Sequence, residues 1–327
     1  MAKKVLGIGN ALVDIMIKVD DESILAQLQL PKGSMQLVDS LRSASVDIAT
    51  KKLARIMSSG GSAANTIHGL ARLGVETAFI GHVGADVTGD FFKDDMIKAG
   101  ISPFLFSSAT ASGIAHAFVT ADGERTFATC LGAAIELSDT HLEEMLFKGY
   151  DYFYIEGYLV QNKALLLKAL DLAAKAGLKV AIDLASFNVV EDQKDFLSEL
   201  LDGKIDMVFA NEEESKALTG LAPEAALDHI AEHCETAIVK IGKEGSLIKH
   251  QGETWHIKPI PAKAIDTTGA GDMYASGFLY GIANGLSIEQ AGRIGSLLAG
   301  NVIEVMGAKM DESRWQQIRL QLQTIMS

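Results

Sequence analysis

The sequence predicts an α/β protein: a mostly parallel β-sheet covered by helices on both faces, with a small β-sheet lid. Three observations carry this. From about residue 150 onward, short apolar runs at 152–155, 179–184, 206–210 and 237–241 alternate with helical stretches such as 162–176 and 192–201. That alternation is the pattern of βαβ units, whose strands are buried on both faces. Segments 13–19 and 113–129 instead alternate apolar and other residues with period two, as half-buried antiparallel strands do. Finally, the chain has only five prolines and no low-complexity linker. One unit spanning 1–327 is therefore expected, with a discontinuous lid from about 13–40 and 101–130.

The elements follow in order. Residues 5–9 read as a first buried strand. Met1-Ala2-Lys3-Lys4 and the apolar stretch after it resemble a secretion signal, but Asn10 and Asp14 interrupt it and no small-residue cleavage site follows. A cytoplasmic protein is expected. Residues 62–73 and 89–99 read as helices, and a turn at Asp122-Gly123 divides the later lid segment. A helix is expected from Met273 to Asn284, closed by Asn284-Gly285. The next starts at Ser287, with Gln290 three residues on as a capping box. Small residues on both (Ala275, Gly277 and Gly281; Gly292, Gly295, Ala299 and Gly300) imply close approach, of helix to helix or of backbone to a flat ligand.

Composition excludes several function classes. With 29 basic against 42 acidic residues the net charge is −13, which disfavours a nucleic-acid or anionic-membrane partner. An anionic nucleotide is still admissible, because backbone N–H groups and a metal ion can build a local phosphate site. Cys130 and Cys234 are the only cysteines, too few for a disulfide framework. No apolar run reaches the length of a membrane span.

The strongest motif is Asp266-Thr267-Thr268-Gly269-Ala270-Gly271-Asp272. Its glycines let backbone approach a ligand, and the helix that follows offers free N–H groups and a favourable dipole to an anion. Asp272, at the helix start, serves either as a helix-stabilising charge or as a base aimed at a hydroxyl beside the phosphate. Ser59-Gly60-Gly61-Ser62-Ala63-Ala64-Asn65 is a second glycine turn entering a helix. Asn211-Glu212-Glu213-Glu214 follows a buried strand, where ligands and Mg²⁺ of parallel sheets sit and where acids also start helices well. Gly242-Lys243-Glu244-Gly245 is a weaker turn after another strand.

These motifs, in this order and spacing, resemble the pfkB, or ribokinase-like, family of carbohydrate and nucleoside kinases across nearly the whole chain. The resemblance implies a three-layer α/β/α fold with a β lid, and transfer of a phosphoryl group from ATP to a small hydroxyl compound. By motif, Asp272 is similar to the family's catalytic base, and the backbone of Thr268, Gly269, Ala270 and Gly271 to its anion hole. Asn211 and Glu214 are similar to positions that organise Mg²⁺ and phosphate, usually through water. Gly61, Asn65, Asn10 and Asp14 resemble sugar contacts, Gly242 and Gly245 part of the nucleotide wall, and Asn301 the adenine region. ATP and Mg²⁺ are the implied cofactors, with a monovalent cation such as K⁺ as an addition. A monomer or a homodimer is compatible with such a lid.

The acceptor is less defined. Residues 32–38, 9–14 and 156–159 resemble the adenosine kinase-like branch, and Met35, Gln36 and Leu37 would offer a purine apolar surface plus one amide. Adenosine, phosphorylated to AMP, is the expected acceptor; a sugar kinase acting on ribose, fructose or a keto-sugar is the alternative. Phe104, Phe106, Phe118 and Phe187 are the candidate stacking rings. Arg125 either reaches a phosphate on lid closure or is a solvated hairpin charge.

Other classes fit poorly. Gly7-Ile8-Gly9 would need a third glycine at Leu12 to bind a dinucleotide, and no P-loop sequence occurs. His229, Glu232 and His233 match a short zinc-peptidase pattern, which a surface helix produces by chance. A non-catalytic sensor on the same scaffold would be expected to lose Asp272 or the glycines.

Overall fold

The computed structural model describes residues 3–120 and 124–326, so the expected turn at Asp122-Gly123 lies outside the described residues. In chain order the strands are β1 (Val5–Ile8), β2 (Leu12–Val19), β3 (Met35–Leu37), β4 (Arg55–Gly60), β5 (Thr77–Gly84), β6 (Ile101–Ser108), β7 (Gly113–Thr120), β8 (Arg125–Cys130), β9 (Tyr152–Glu156), β10 (Lys179–Asp183), β11 (Met207–Asn211), β12 (Thr236–Lys240), β13 (Ser246–His250) and β14 (Glu253–Ile257). The helices are α1 (Ser23–Gln27), α2 (Ser40–Thr50), α3 (Ser62–Arg72), α4 (Val87–Lys98), α5 (Lys163–Ala176), α6 (Phe187–Asp192), α7 (Lys194–Leu201), α8 (Glu212–Thr219), α9 (Pro223–Ala231), α10 (Ala270–Ala283), α11 (Ile288–Val302) and α12 (Glu312–Met326).

The large sheet runs β14-β13-β12-β11-β10-β9-β1-β5-β6. It is parallel from β6 through β12, and β13 and β14 add an antiparallel edge. Successive residues of its central strands enter different cores. Phe79, Tyr152 and Tyr154 pack on the face of α3 and α10, whereas Ile80, Phe153 and Ile155 pack with Leu165, Leu166 and Ala169 of α5. Burial on both faces is why these strands read as unbroken apolar runs. Each wholly buried Phe or Leu side chain contributes about 1.5–3 kcal/mol relative to exposure.

The second sheet, β3-β8-β7-β2-β4, is the expected lid with two corrections. Strand β6 lies at the edge of the large sheet beside β5, while β4, outside the expected bounds, pairs with β2. The lid is also mixed rather than antiparallel: β2 runs parallel to β7, and β3 to β8. Period-two alternation fixes which residues share a face but not the direction of the neighbouring strand.

Lid register separates two faces. Asp14, Ala115, Thr129 and Leu37 share one face with Met16, Ala117, Phe127 and Met35. Val13, Ile15, Ile17, Phe118 and Ala128 point the other way, into the core that includes Val46 of α2. A slip of one residue would exchange these faces.

Candidate active site

The glycine motif folds as a tight loop into α10. Buried Asp266 organises it, accepting from Thr268 N–H at 2.6 Å and Gly307 N–H at 2.7 Å. Gly269 has φ 72°, and a Cβ there would lie 2.6 Å from Ala308 Cβ, so both backbone conformation and space require glycine. Ala270 N–H turns back to Thr267 O at 3.2 Å, and Met273 N–H reaches Gly269 O at 2.8 Å. The N–H groups of Gly271 and Asp272 stay unpaired among the described residues, and the buried Thr268 Oγ1 has no partner there either. Two free amides at the mouth of a fourteen-residue helix make an anion site.

Helix α3 holds Asp272 from the opposite side. Ser62 Oγ donates to Asp272 Oδ1 at 2.7 Å and Asn65 Nδ2 to Oδ2 at 3.0 Å. Thr66 Oγ1 donates to the Asp272 backbone carbonyl at 3.2 Å. Burial pushes the Asp272 carboxyl up to about 6, against the pull of the Ser62 and Asn65 hydrogen bonds. The group is therefore fixed in direction and ionised at neutral pH, as a general base must be.

A cleft of about 970 Å³ opens beyond the carboxyl ends of β10, β11 and β12 and runs to Asp272, where α/β sheets bind ligands. Asn211, Glu214, Gly242, Gly245, Gly269, Ala270 and Gly271 all line it, as expected from sequence. Asn211 and Glu214 form a reciprocal capping box on α8 (Glu214 N–H to Asn211 Oδ1, 2.8 Å; Asn211 N–H to Glu214 Oε2, 2.7 Å). Burial raises the Glu214 carboxyl to about 7, Lys240 opposing and Asp183 reinforcing.

Lys240 and Asp183 form an ion pair of 2.8 Å in the cleft wall, with side chains 16% and 6% exposed. Burial disfavours the Lys240 charge, but Asp183 and Glu214 outweigh it and hold the ammonium above its ordinary value. Its Nζ lies 3.1 Å from where a Gly271 Cβ would be, directly beneath the anion loop. Ala185, two residues past Asp183, sits in the left-handed region at φ 64° and also lines the cleft, a strained position of the kind that clusters at functional sites. The sequence reading passed over this pair because charged residues ending separate strands acquire meaning only once the strands are neighbours.

Three expected site residues stand differently. Asn301 faces inward on α11, donating to Leu297 O at 2.9 Å and accepting from Arg314 at 3.3 Å; Ser296, Ala299, Gly300 and Ile303 of that region line the cleft instead. Gln36 pairs with Ala128 and so shares the lid face turned away from Asp14. Asn10 gives its side-chain amide and backbone N–H to Glu156, at 2.6 and 3.3 Å, which makes it a support of the site. Glu156 also accepts from Ala63 N–H at 3.1 Å, and burial raises it to about 7.

On the acceptor side, Gly61 (φ 96°) brings α3 against Asn10, whose carbonyl oxygen would lie 2.2 Å from an added Cβ. Asp14 lies over the neighbouring Gly60, and burial raises its carboxyl to about 7. Gly61, Asn65, Asp14 and Asp272 thus come together on one side of the anion loop. Among the aromatic candidates, Phe118 is wholly buried in the core, Phe104 and Phe106 pack near Tyr150 and His141, and Phe187 is 40% exposed at the start of α6. The ring on the Asp14 face is Phe127, paired with Ala117 and Met35. It is absent from the four rings expected from sequence, because only strand pairing shows that its face is also that of Asp14.

Arg125 is a latch. Its guanidinium meets Asp266 Oδ1 at 2.9 Å and Thr267 Oγ1 at 3.0 Å, tying β8 of the lid to the anion loop. Arg125→Ala should loosen the lid and admit water, which competes as phosphoryl acceptor. The expected result is a raised ratio of acceptor-independent ATP hydrolysis to product formation. An unchanged ratio would show that the latch does not control closure.

His229, Glu232 and His233 do come together, with ligand atoms within 4.8 Å of one another. They lie outside the residues lining the cleft, and His233 Nδ1 is already 2.6 Å from Asp202. Among the described residues no helix is long and apolar enough to cross a membrane.

An anion loop at a helix start, a carboxylate fixed beside it and a closing lid define a phosphotransferase with an alcohol group as acceptor. Residues 42–314 match the family model described as pfkB family carbohydrate kinase, and the chain belongs to that family. It is 31% identical over 248 residues (74% of this chain, 96% of the relative) to an uncharacterized sugar kinase of Archaeoglobus fulgidus. It superposes with a TM-score of 0.87 on a probable sugar kinase of Rhizobium etli, at 34% identity over 98% of both chains. It is equally similar to the adenosine kinase of Sinorhizobium meliloti, with TM-score 0.87 and 33% identity over 98% of this chain and 100% of that one. Kinases of this family use ATP, generally with Mg²⁺.

Proposed function

We propose that the protein transfers the γ-phosphate of ATP to the primary hydroxyl of a nucleoside, adenosine first among them, giving AMP. The observation that carries the nucleoside assignment is the lid face above Asp14. Met16, Ala117 and Val119 are already buried there, and half-buried Phe127 with exposed Met35 is the apolar surface left to meet a base. A purine presents a flat π face on which the Phe127 ring can stack, which a bare sugar lacks.

ATP occupies the 970 Å³ cleft, its transferred phosphate at the amides of Gly271 and Asp272 with Lys240 beneath. Glu214 and Asn211, at the cleft wall, would hold Mg²⁺, and the ion would supply charge neutralisation on the phosphates. Asp14, Asn65 and Gly61 hold the ribose so that its primary hydroxyl meets Asp272. Phosphoryl transfer demands chiefly alignment and charge stabilisation. Asp272 aligns the attacking oxygen and takes its proton late, while amides and ammonium receive charge on the phosphoryl oxygens. Such a small-molecule kinase works in the cytoplasm, where ATP is supplied.

The test is an ATP-consumption screen against adenosine, other nucleosides, ribose and fructose, repeated with Phe127→Ala. Adenosine should give the highest kcat/KM, and Phe127→Ala should raise its KM by about tenfold or more, the scale of one base–aromatic stack. Preferential use of ribose or fructose by the wild type, with Phe127→Ala neutral, would refute the nucleoside assignment and leave a sugar kinase.

A further inference from the structure

Lys309 is a lysine with an enclosed ammonium that the mechanism above does not use. It follows Gly307-Ala308, a segment anchored to the phosphate loop by the Gly307–Asp266 hydrogen bond and by Ala308 against Gly269. On its other side the segment meets the lid, where Met16 Cγ lies 3.6 Å from a Cβ built on Gly307. The Lys309 ammonium is thereby set at the junction of phosphate loop and lid. Its Nζ is fully enclosed and has no hydrogen-bond partner among the described residues.

An enclosed ammonium without a partner is costly, and its surroundings show what it awaits. The ionisable groups acting on it are Asp95 of α4, Asp14 of β2 and Asp272 of α10, with His68 and Arg72 nearby on α3. Asp95, the strongest of these charges, accepts from Ser59 N–H and Oγ through Oδ2 alone, and Arg72 is paired with Glu312. Burial and the Lys309 charge keep His68 neutral. Of the three acids acting on Lys309, Asp14 and Asp272 belong to the acceptor side. Asn65 adds a second unfilled atom, since its Nδ2 goes to Asp272 and its buried Oδ1 has no partner. Asp272 thus has an unpaired amide oxygen beside it on Asn65 and shares the Lys309 charge with Asp14; donor, acceptor and carboxylate are the set that a pair of neighbouring hydroxyls satisfies.

We infer that Lys309 is an acceptor-binding and specificity-determining residue, donating to a secondary hydroxyl of the acceptor whose own proton is directed at Asp14. The inference rests on the proposed kinase reading and deepens it by defining the acceptor as an uncharged polyol. A sugar acid or sugar phosphate would set its charge against two carboxylates with a single ammonium to compensate. Burial holds Lys309 down to about 8, so it remains mainly charged at neutral pH.

The experiment is a cycle between enzyme and acceptor. Wild type, Lys309→Met and Lys309→Arg are assayed with adenosine, 2′-deoxyadenosine and 3′-deoxyadenosine, each with saturating ATP. Lys309→Met should raise the adenosine KM by about tenfold or more, the effect of losing a charged hydrogen bond, and leave the ATP KM within about twofold. Lys309→Arg should recover most of the loss. For one deoxy analogue the wild type and Lys309→Met should coincide, because that analogue lacks the hydroxyl Lys309 holds.

An unchanged adenosine KM in Lys309→Met overturns the inference, as does an equal loss for all three acceptors, which would mark a merely structural lysine. If Lys309→Met does not fold, Lys309→Gln, which removes the charge but stays polar, is put through the same cycle. Failure of the nucleoside reading is separately visible: the wild type then phosphorylates a sugar and not adenosine. The cycle is in that case run with that sugar and its monodeoxy derivatives.

Discussion

Asp272→Asn is expected to lower turnover by about 10²–10⁴-fold, the usual contribution of a positioned acid or base, while ATP binding persists. The amides of Gly271 and of residue 272 remain at the start of α10, and Lys240 still lies beneath them, so the phosphate site survives. What is lost is a carboxylate fixed by Ser62 and Asn65. A second outcome follows from the same burial. Because the folded-state carboxyl is raised to about 6 from an ordinary 3.8, ionising it costs the folded state stability above pH 6. Its neutral amide replacement should therefore raise the melting temperature at pH 8 and lose that advantage as pH falls below about 4, where the wild-type group is protonated in both states. In the wild type, kcat/KM should rise with pH through a limb near 6 as the base ionises. Calorimetry, nucleotide titration and a pH–rate profile check the three parts. Turnover that survives the substitution would remove Asp272 from the chemistry.

Lys240→Met carries the second large effect, on stability and rate together. The lysine is paired with Asp183 at 2.8 Å in a nearly inaccessible wall, and Glu214 shares its field. Removing one partner leaves two buried carboxylates uncompensated, a change that costs about 3–5 kcal/mol. Turnover should also fall, since an ammonium below the transferred phosphate is lost. The double variant Asp183→Asn, Lys240→Met should regain part of the stability but not the turnover, because it removes the directly paired carboxylate of the two orphaned ones without restoring the cation. Urea unfolding with steady-state kinetics separates the two. If the single variant were as stable as wild type, the pair would not be the buried unit described here.

The sequence made much of this legible. Near-continuous apolar runs at β9 to β12 revealed a parallel sheet, because burial on both faces removes every reason for polar alternation. The phosphate loop was readable because its requirements are local: a left-handed Gly269, a helix start and Asp272 lie within four residues of one another. The Asn211–Glu214 box was readable for the same reason, being a contact across three positions.

Assignments that depended on lateral neighbours were the ones revised. β6 moved from the lid to the large sheet and β4 joined the lid, since a strand's own pattern does not say which edge it will meet. Gln36 faces away from Asp14 and the unexpected Phe127 faces with it, both through the registers of β8 with β3 and β7. Asn301 read as a ligand contact by position, but its helix turns it toward Leu297 and Arg314.

The phosphate motif shows the division most clearly. By itself, the sequence determined that a helix starts at an anion-binding turn with an acid at its mouth, because those constraints act within one stretch of chain. Whether that acid caps a helix or faces a substrate is a matter of direction. That was decided by Ser62 and Asn65, reaching Asp272 from more than 200 residues away, and by Lys240, Asp14 and Lys309, brought around it from three other segments. Side chains so distant in sequence leave no joint spacing to read; only the packed sheet and its lid set them within range of one another.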